Sequence, residues 1–171
     1  MQFLKDYIGE IKRQTNRGRC LHYLNGERCN EIISAHSIQK KGQLSLIAED
    51  GHVYRLSTDQ AILQRTGGVP DFKKVGVNRA STFLGFCKHH DNKLFERIDN
   101  FSLGPAKEQI ALYAYRCLCR EYFVKENAVA VLRKMKDHPE LDAPRRQFLE
   151  ASQFGHEKWL HSFEQRNRNL K

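Results

Sequence analysis

The segment GFCKHHDNKLF, residues 85–95, gathers side chains that bind metal ions or move protons. Within five consecutive positions it carries a thiol at Cys87, imidazoles at His89 and His90, and a carboxylate at Asp91. Thiolate and imidazole are common ligands of protein-bound zinc, whereas a carboxylate suits a harder cation such as Mg²⁺. The segment therefore indicates a zinc site, with a neighbouring carboxylate that is free to hold a second ion.

A second pair of candidate zinc ligands, Cys20 and Cys29, lies in the segment CLHYLNGERCN. The Asn25–Gly26 dipeptide between them is a strong turn signal, and a turn there would bring the two cysteines together. The alternative is that both cysteines are small buried apolar residues. Their basic and polar flanks favour the metal-binding interpretation.

Together with the C-x-x-H pair Cys87 and His90, these cysteines supply the four ligands of a tetrahedral zinc site. His90 is favoured over His89 because residues spaced i and i+3 share one side of a helix, whereas residues spaced i and i+2 do not. The same argument excludes Cys117 and Cys119 from binding one ion together, so both are expected to be buried thiols.

Two short apolar segments flank these candidate residues. EIISAHSIQ is β-branched and is predicted to form a strand that ends near His36, and ASTFLGF leads directly into Cys87. After Asp91 the apolar residues recur at helical spacing, which places the cysteine–histidine cluster at the start of a helix. His36, at a strand end, is the remaining candidate for chemistry.

The residues between these two apolar segments contain further turn signals. Residues 43–57 resemble a β-hairpin about the Asp50–Gly51 turn, with apolar residues on both sides of it. The segment Thr66–Arg79 is rich in glycine and contains a proline, so it is predicted to be a loop.

Helical periodicity dominates both ends of the chain. An amphipathic helix is predicted over Phe3–Arg13, and after Gly104–Pro105 the sequence turns rich in helix formers, with a further long helix beginning near Pro144. The expected fold class is α+β: a compact module over residues 1–104 and a helical lobe over residues 105–171. The charged, helix-compatible C-terminus is also compatible with a longer chain.

The chain of 171 residues has a formal net charge of +9, which favours a polyanionic partner and nucleic acid above all. Solubility alone is the alternative explanation. No interleaved aromatic residues indicate a stacking platform, so contacts to the nucleic-acid backbone are expected. Six basic residues are the predicted contacts: Arg17, Arg19, Lys40, Lys41, Lys73 and Lys74.

The N-terminus lacks the apolar segment of an export signal, and no uncharged stretch approaches the roughly 20 apolar residues of a membrane span. The sequence therefore predicts a cytoplasmic protein that does not insert into membranes. The odd number of cysteines, five, agrees with free thiols or metal ligands rather than a set of disulfides.

The order of these motifs, C…C…AHSIQ…FCKHHDNKLF, resembles the zinc-containing HNH endonucleases, the ββα-metal (treble-clef) group. The resemblance covers roughly Arg19–Asn100 and leaves the helical lobe unexplained. It implies a two-stranded ribbon and a helix around one catalytic divalent ion, Mg²⁺ or Mn²⁺, beside a structural zinc ion. It also suggests an effector in bacterial phage defence.

Position by position, the resemblance makes His36 the general base and Asp91 the ligand of the catalytic ion. The residue that orients the base falls near Ser81 or Thr82, and Ser81 is preferred. Many members carry an acidic residue immediately before the base, and this chain has Ala35 there. Asp99 is not expected to compensate, because eight residues span about 12 Å along a helix.

Three classes of function remain at this stage. The first is a metal-dependent endonuclease that hydrolyses nucleic-acid phosphodiesters, with DNA favoured over RNA. The second is a zinc-stabilised nucleic-acid-binding module without catalysis, which Ala35 makes credible. The third is an adaptor in which the helical lobe recruits a protein partner or self-associates.

Overall fold

The computed structural model describes residues 2–22, 29, 31–57 and 59–168 of the chain. Its elements in chain order are α1 (Gln2–Asn16), β1 (Ile32–His36), a π-helical turn (Lys40–Leu44), β2 (His52–Ser57), α2 (Gln60–Arg65), β3 (Asp71–Gly76), β4 (Thr82–Cys87), α3 (Lys88–Asp99), α4 (Lys107–Met135) and α5 (Ala143–Arg168). This α+β composition agrees with the predicted fold class. None of the described helices combines the length and apolar character that a membrane span requires.

Two antiparallel two-stranded sheets form from these strands. β1 pairs with β4, so that Ile32 lies opposite Cys87 and His36 opposite Thr82, with an irregularity between Ile33 and Ala35. The residues between the paired strands include β2 and β3, which pair with each other. α3 follows β4 directly, which gives the β1–β4–α3 unit a strand–strand–helix order.

The core forms where β4, α3 and α4 meet. Phe86 of β4 and Phe95 and Ile98 of α3 are fully buried, and Cys119 and Phe123 of α4 complete the cluster. The rings of Phe86 and Phe95 meet edge to face with centroids 5.1 Å apart, a favourable aromatic geometry. The predicted helical spacing of residues 94–98 is therefore explained by burial against β4.

α4 contacts both ends of the molecule. Its first half packs on β4 and α3, and its second half packs on α1 and α5. Leu132 of α4 joins Leu141 and Leu149 in a second apolar cluster, against which Phe3 of α1 packs. The division of the chain at residue 104 stays a prediction. α4 packs against α1, β4 and α3, which precede this residue, and against α5, which follows it.

Two predictions about the segment between β1 and β4 are wrong. Asp50 and Gly51 do adopt the positive φ angles of a tight turn, 49° and 72°, but the residues before them form the π-helical turn rather than a strand. The true partner of β2 is β3, which lies inside the predicted loop. The glycines mark the ends of this strand: Gly67 and Gly68 have positive φ before it and Gly76 is its last residue. The Asn25–Gly26 turn falls outside the described residues.

Glu10 joins α1 to α4 through a buried carboxylate. Its side chain is 3% exposed, accepts hydrogen bonds from Gln14 Nε2 at 2.7 Å and Lys134 Nζ at 2.8 Å, and pairs with Arg13. Arg13 lowers the pKa of Glu10 to about 2, with burial opposing and Lys134 and Gln14 assisting. The carboxylate therefore stabilises the fold as long as it is ionised.

We expect Glu10→Gln to lower the free energy of unfolding by about 1–2 kcal/mol near neutral pH, because a charge-assisted contact between α1 and α4 is lost. The folded pKa lies below the ordinary value of 4.5, so this contribution is complete above pH 4.5 and disappears as pH falls towards 2. Denaturant titration across this window is the measurement. Glu108→Gln, which removes an exposed ion pair with Arg97, is the matched control, and an equal effect of the two substitutions would contradict the assignment.

Candidate metal centre and the adjoining histidine–carboxylate site

Four side chains converge on one point beside the β4–α3 junction. His90 Nδ1 lies 3.4 Å from Cys20 Sγ, 3.1 Å from Cys29 Sγ and 3.4 Å from Cys87 Sγ. With zinc–sulfur and zinc–nitrogen bonds of ordinary length, a tetrahedral site has a sulfur–nitrogen edge of about 3.5 Å. The four donor atoms all lie within 4.8 Å of one another, so the cluster can hold a metal ion such as zinc.

The local backbone explains why these donors meet. Cys87 ends β4 and caps α3, and its Sγ accepts a hydrogen bond from the backbone N–H of His90 at 3.4 Å. Leu21 N–H donates to the carbonyl of Gly85 at 2.9 Å, which fixes Cys20 against β4. A side chain at Gly85 would meet the ring of Phe83 at 2.2 Å, so only glycine fits there.

The protonation of the three thiols is consistent with a cation site. Burial and the neighbouring thiols raise the pKa of Cys29 to about 12, and burial also raises the pKa of Cys20. Burial raises the pKa of Cys87 too, but hydrogen bonds from the backbone of His90 and from the other thiols bring it below its ordinary value. Burial keeps the pKa of His90 low, so its ring is neutral and able to bind a metal. Binding of a metal ion to this cluster would release the protons that remain on the thiols.

The predicted ligand set is therefore the one that the structure brings together, and His89 is exposed outside it. Sequence reasoning missed His22, whose ring lies 4.8 Å from that of His90 and whose Nδ1 lies 3.1 Å from the hydroxyl of Tyr115. The prediction of two buried thiols is correct for Cys119 and wrong for Cys117, which is exposed.

The second candidate site begins at His36, the last residue of β1. Its Nδ1 lies 3.1 Å from Ser81 Oγ, and this hydroxyl in turn reaches the carbonyl of Ile38 at 3.3 Å. When Ser81 donates its proton to that carbonyl, it accepts one from Nδ1, which leaves Nε2 of His36 as a proton acceptor. The hydroxyl of Thr82 instead contacts the carbonyl of Arg79 at 3.3 Å. Of the two predicted orienting residues, Ser81 is the one whose hydroxyl contacts the ring of His36.

Asp91 lies on the first turn of α3 and is buried. Burial raises its pKa, while nearby Arg116 of α4 lowers it. Asp91 Oδ1 has no hydrogen-bond partner and lies 3.7 Å from Arg116 Nη2. An unpartnered buried carboxylate oxygen is costly, and a cation or water ligand would remove that cost.

Arg116 also brings Asp99 to this site. Its guanidinium, 1% exposed, donates to both carboxylate oxygens of Asp99, at 2.8 and 2.6 Å, and lies 4.0 Å from the centre of the Phe95 ring. Asp91 and Asp99 thus approach the same guanidinium nitrogen, at 3.7 and 2.6 Å. The prediction that Asp99 is too far along the helix to share a metal ion with Asp91 stays a prediction. Two carboxylates and one guanidinium leave one negative charge, which fits a bound cation.

His36 is electrostatically connected to this group. Burial lowers its pKa first, Lys40 and Arg116 lower it further, and Asp99 opposes them. Its ring is therefore neutral near physiological pH, and Arg116 acts on both His36 and Asp91. Arg116 and Asp99 therefore influence the charge state of both the base candidate and the carboxylate candidate.

Gln39 holds the chain after β1 against the end of α3. Its buried side-chain amide donates to the carbonyl of Asp99 at 3.1 Å, and its carbonyl accepts a hydrogen bond from Tyr113 at 3.3 Å. Gly42 has no room for a side chain, which would lie 2.3 Å from Gln39 Oε1. The two hydrogen bonds of the Gln39 side chain fix the segment that follows His36.

Ala35 provides no metal ligand. Its side chain is 1% exposed and belongs to the apolar core. A carboxylate at this position would be buried among aromatic rings, which is unfavourable.

The six predicted nucleic-acid contacts lie in different environments. Arg17, Lys40 and Lys41 are exposed, Lys73 pairs with Asp59, and Lys74 lies beside the ring of Tyr54. Arg19 is mostly buried, pairs with Glu126 and stacks on Phe123 at 4.3 Å, so its guanidinium is engaged inside the protein.

Comparison with known proteins adds no assignment: no family model, no curated protein and no solved structure matches this chain.

We expect the purified chain to contain one equivalent of zinc, and we expect Cys87→Ser or His90→Ala to reduce this content sharply. A chelator should lower the melting temperature by about 10 °C or more, since each kcal/mol is worth about 2–4 °C in a chain of this size. Elemental analysis and calorimetry are the measurements. Cys117→Ser, an exposed thiol outside the cluster, is the matched control. A purified chain that contains no zinc, and whose melting temperature a chelator does not change, would contradict the metal centre.

Proposed function

We propose that this protein is a metal-dependent, HNH-like endonuclease that hydrolyses nucleic-acid phosphodiesters, with DNA as the favoured substrate. Two observations carry the proposal: Ser81 positions Nδ1 of His36 so that Nε2 can accept a proton, and Asp91 has an unpartnered, buried carboxylate oxygen. Arg116 influences the pKa of both residues. The strand–strand–helix order of β1, β4 and α3 supports the same proposal.

His36 acts as the general base in this proposal. Its Nε2 accepts a proton from the attacking water, whose oxygen then bonds to phosphorus as the bond to the leaving 3′ oxygen breaks. The hydroxyl of Ser81 fixes the ring and its tautomer. The depressed pKa of His36 keeps the base unprotonated at neutral pH.

Asp91 would hold the catalytic ion, and Arg116, which pairs with Asp99 and lies 3.7 Å from Asp91, would position its carboxylate. A divalent ion, Mg²⁺ or Mn²⁺, would stabilise the charge that develops on the phosphate and on the leaving oxygen. Lys40 and Lys41, exposed just after β1, are placed in sequence to bind the phosphate backbone. Zinc in the Cys20–Cys29–Cys87–His90 cluster has a structural role.

The biological setting that we propose is cytoplasmic phage defence, and it rests on the resemblance of the motifs alone. The buried Ala35 favours a second candidate function, nucleic-acid binding without cleavage, because it withholds the acidic ligand of many HNH enzymes. Cleavage assays separate the two functions directly.

We expect wild-type protein to nick or linearise plasmid DNA with Mg²⁺ or Mn²⁺ and to be inactive in EDTA. His36→Ala and Asp91→Asn should each lower the rate by about 100-fold or more, since they remove the base and the ion ligand. Zinc content and melting temperature of both variants should match the wild type. His161→Ala, an exposed histidine on α5, is the control. Undiminished cleavage by His36→Ala would show that the base is wrongly assigned.

The rate should rise with pH as His36 loses its proton and then level off, with a midpoint below the ordinary histidine value of 6.5. Lys40→Gln removes a neighbouring positive charge and should move this midpoint to higher pH. Ser81→Ala should lower the plateau by about tenfold, since the ring loses its orientation. The measurement is kcat/KM against pH. A midpoint that moves when Mn²⁺ replaces Mg²⁺ would assign the titration to a group at the ion instead.

A further inference from the structure

The β2–β3 ribbon exposes apolar side chains on one face only. Tyr54, Leu56 and Phe72 are 58%, 57% and 64% exposed. On the opposite face, Val53 and Ser57 are buried. The exposed aromatic and aliphatic side chains of the ribbon therefore lie together on one face, which we call the open face.

Strand register arranges these side chains in a compact row. Leu56 lies opposite Phe72, and Tyr54 lies opposite Lys74. Tyr54 and Phe72 are diagonal neighbours, a relation that places residues about 7–8 Å apart. Successive bases stacked in a duplex are about 3.4 Å apart along one strand, so two rings at this spacing suit the bases of an extended single strand.

The charges of the ribbon favour a polyanion over a protein as the ligand. Lys74 Nζ lies 5.5 Å from the centre of the Tyr54 ring, within the row itself. Lysine is depleted at protein interfaces, whereas aromatic rings interleaved with basic residues are typical of single-strand binding. This row was missed in the sequence because its two aromatic residues come from different strands.

The ribbon is also directly connected to the candidate catalytic residues. Chain 37–51 leads from His36 to β2, and chain 77–80 leads from Gly76 to Ser81. Ser81 Oγ and His36 Nδ1 are 3.1 Å apart, so the two ends of the insertion that carries the ribbon, residues 37–80, meet at one hydrogen-bonded pair.

We infer that the open face of the β2–β3 ribbon binds single-stranded DNA, with bases stacked on Tyr54 and Phe72 and a phosphate near Lys74. The inference rests on the proposed nucleic-acid substrate and not on its cleavage. It narrows the substrate from nucleic acid in general to strands whose bases are unpaired.

The test measures binding of labelled dT20, of a duplex of equal length and of rU20 by fluorescence anisotropy, with full-length His36→Ala protein, without chelator and without added Mg²⁺ or Mn²⁺. Tyr54→Leu/Phe72→Leu keeps apolar area but removes the rings, and it should weaken dT20 binding about tenfold or more. Tyr54→Phe/Phe72→Tyr keeps the rings and should bind like the parent. Phe148→Leu, an exposed ring on α5, is the matched control and should leave binding unchanged.

Several results would overturn the inference. If the leucine double variant and the Phe148→Leu control bind dT20 equally well, base stacking on the ribbon is excluded. If the leucine double variant loses affinity for the duplex as much as for dT20, the ribbon is assigned to duplex DNA. Tighter binding of rU20 than of dT20 would assign it to RNA. A parent dimer that the leucine double variant converts to monomer, by analytical ultracentrifugation, would make the face a self-association surface. Because no cleavage is measured, these results stand whether or not the protein is a nuclease.

Discussion

The convergence of three cysteines on His90 is the constraint on which the rest of the site depends. It joins the segment after α1 to the junction of β4 and α3, which are far apart in the sequence. Asp91 follows His90 directly on the first turn of α3, so any shift of the cluster also moves the carboxylate. A metal ion held by the cluster would therefore also restrain the position of Asp91, through a single peptide bond.

Arg116 is the second residue that defines the site, because its guanidinium is buried and must be paired within the protein. A guanidinium removed from water needs its charge balanced, and Asp99 supplies this through two hydrogen bonds while Phe95 offers the face of its ring. The remaining contact, to Asp91, is longer than a hydrogen bond. Arg116 therefore holds the pair of acidic residues in place without satisfying both of them, which leaves capacity for a further cation.

The sequence predicted most of the candidate site and part of the fold. Cys87 and His90 could be identified because residues spaced i and i+3 at a helix start share one side of it. Cys20 and Cys29 could be identified from the turn signal between them and their polar flanks. The β-branched composition predicted β1, and helical periodicity predicted α3 and the long helices. Arg116 could not be placed, since its contacts join α4 to α3 across the core and leave no local pattern. β3 was mistaken for a loop because flanking glycines are ambiguous: they can mark the ends of a strand as well as a flexible segment. The pairing of β2 with β3 depends on cross-strand contacts that single-segment patterns do not contain.

The pairing of β1 with β4 has a consequence for how the protein folds. The pairing of Ile32 with Cys87 closes a loop that contains all the residues between them. The contact of Arg116 with Asp91 brings in a further distant segment, α4. Closing such a long loop carries an entropic cost before any contact repays it, and non-local pairing slows folding. The candidate site therefore depends on contacts between residues that are far apart in the sequence, rather than on any one local segment. A nascent or partly unfolded chain would carry the residues of the site without bringing them together.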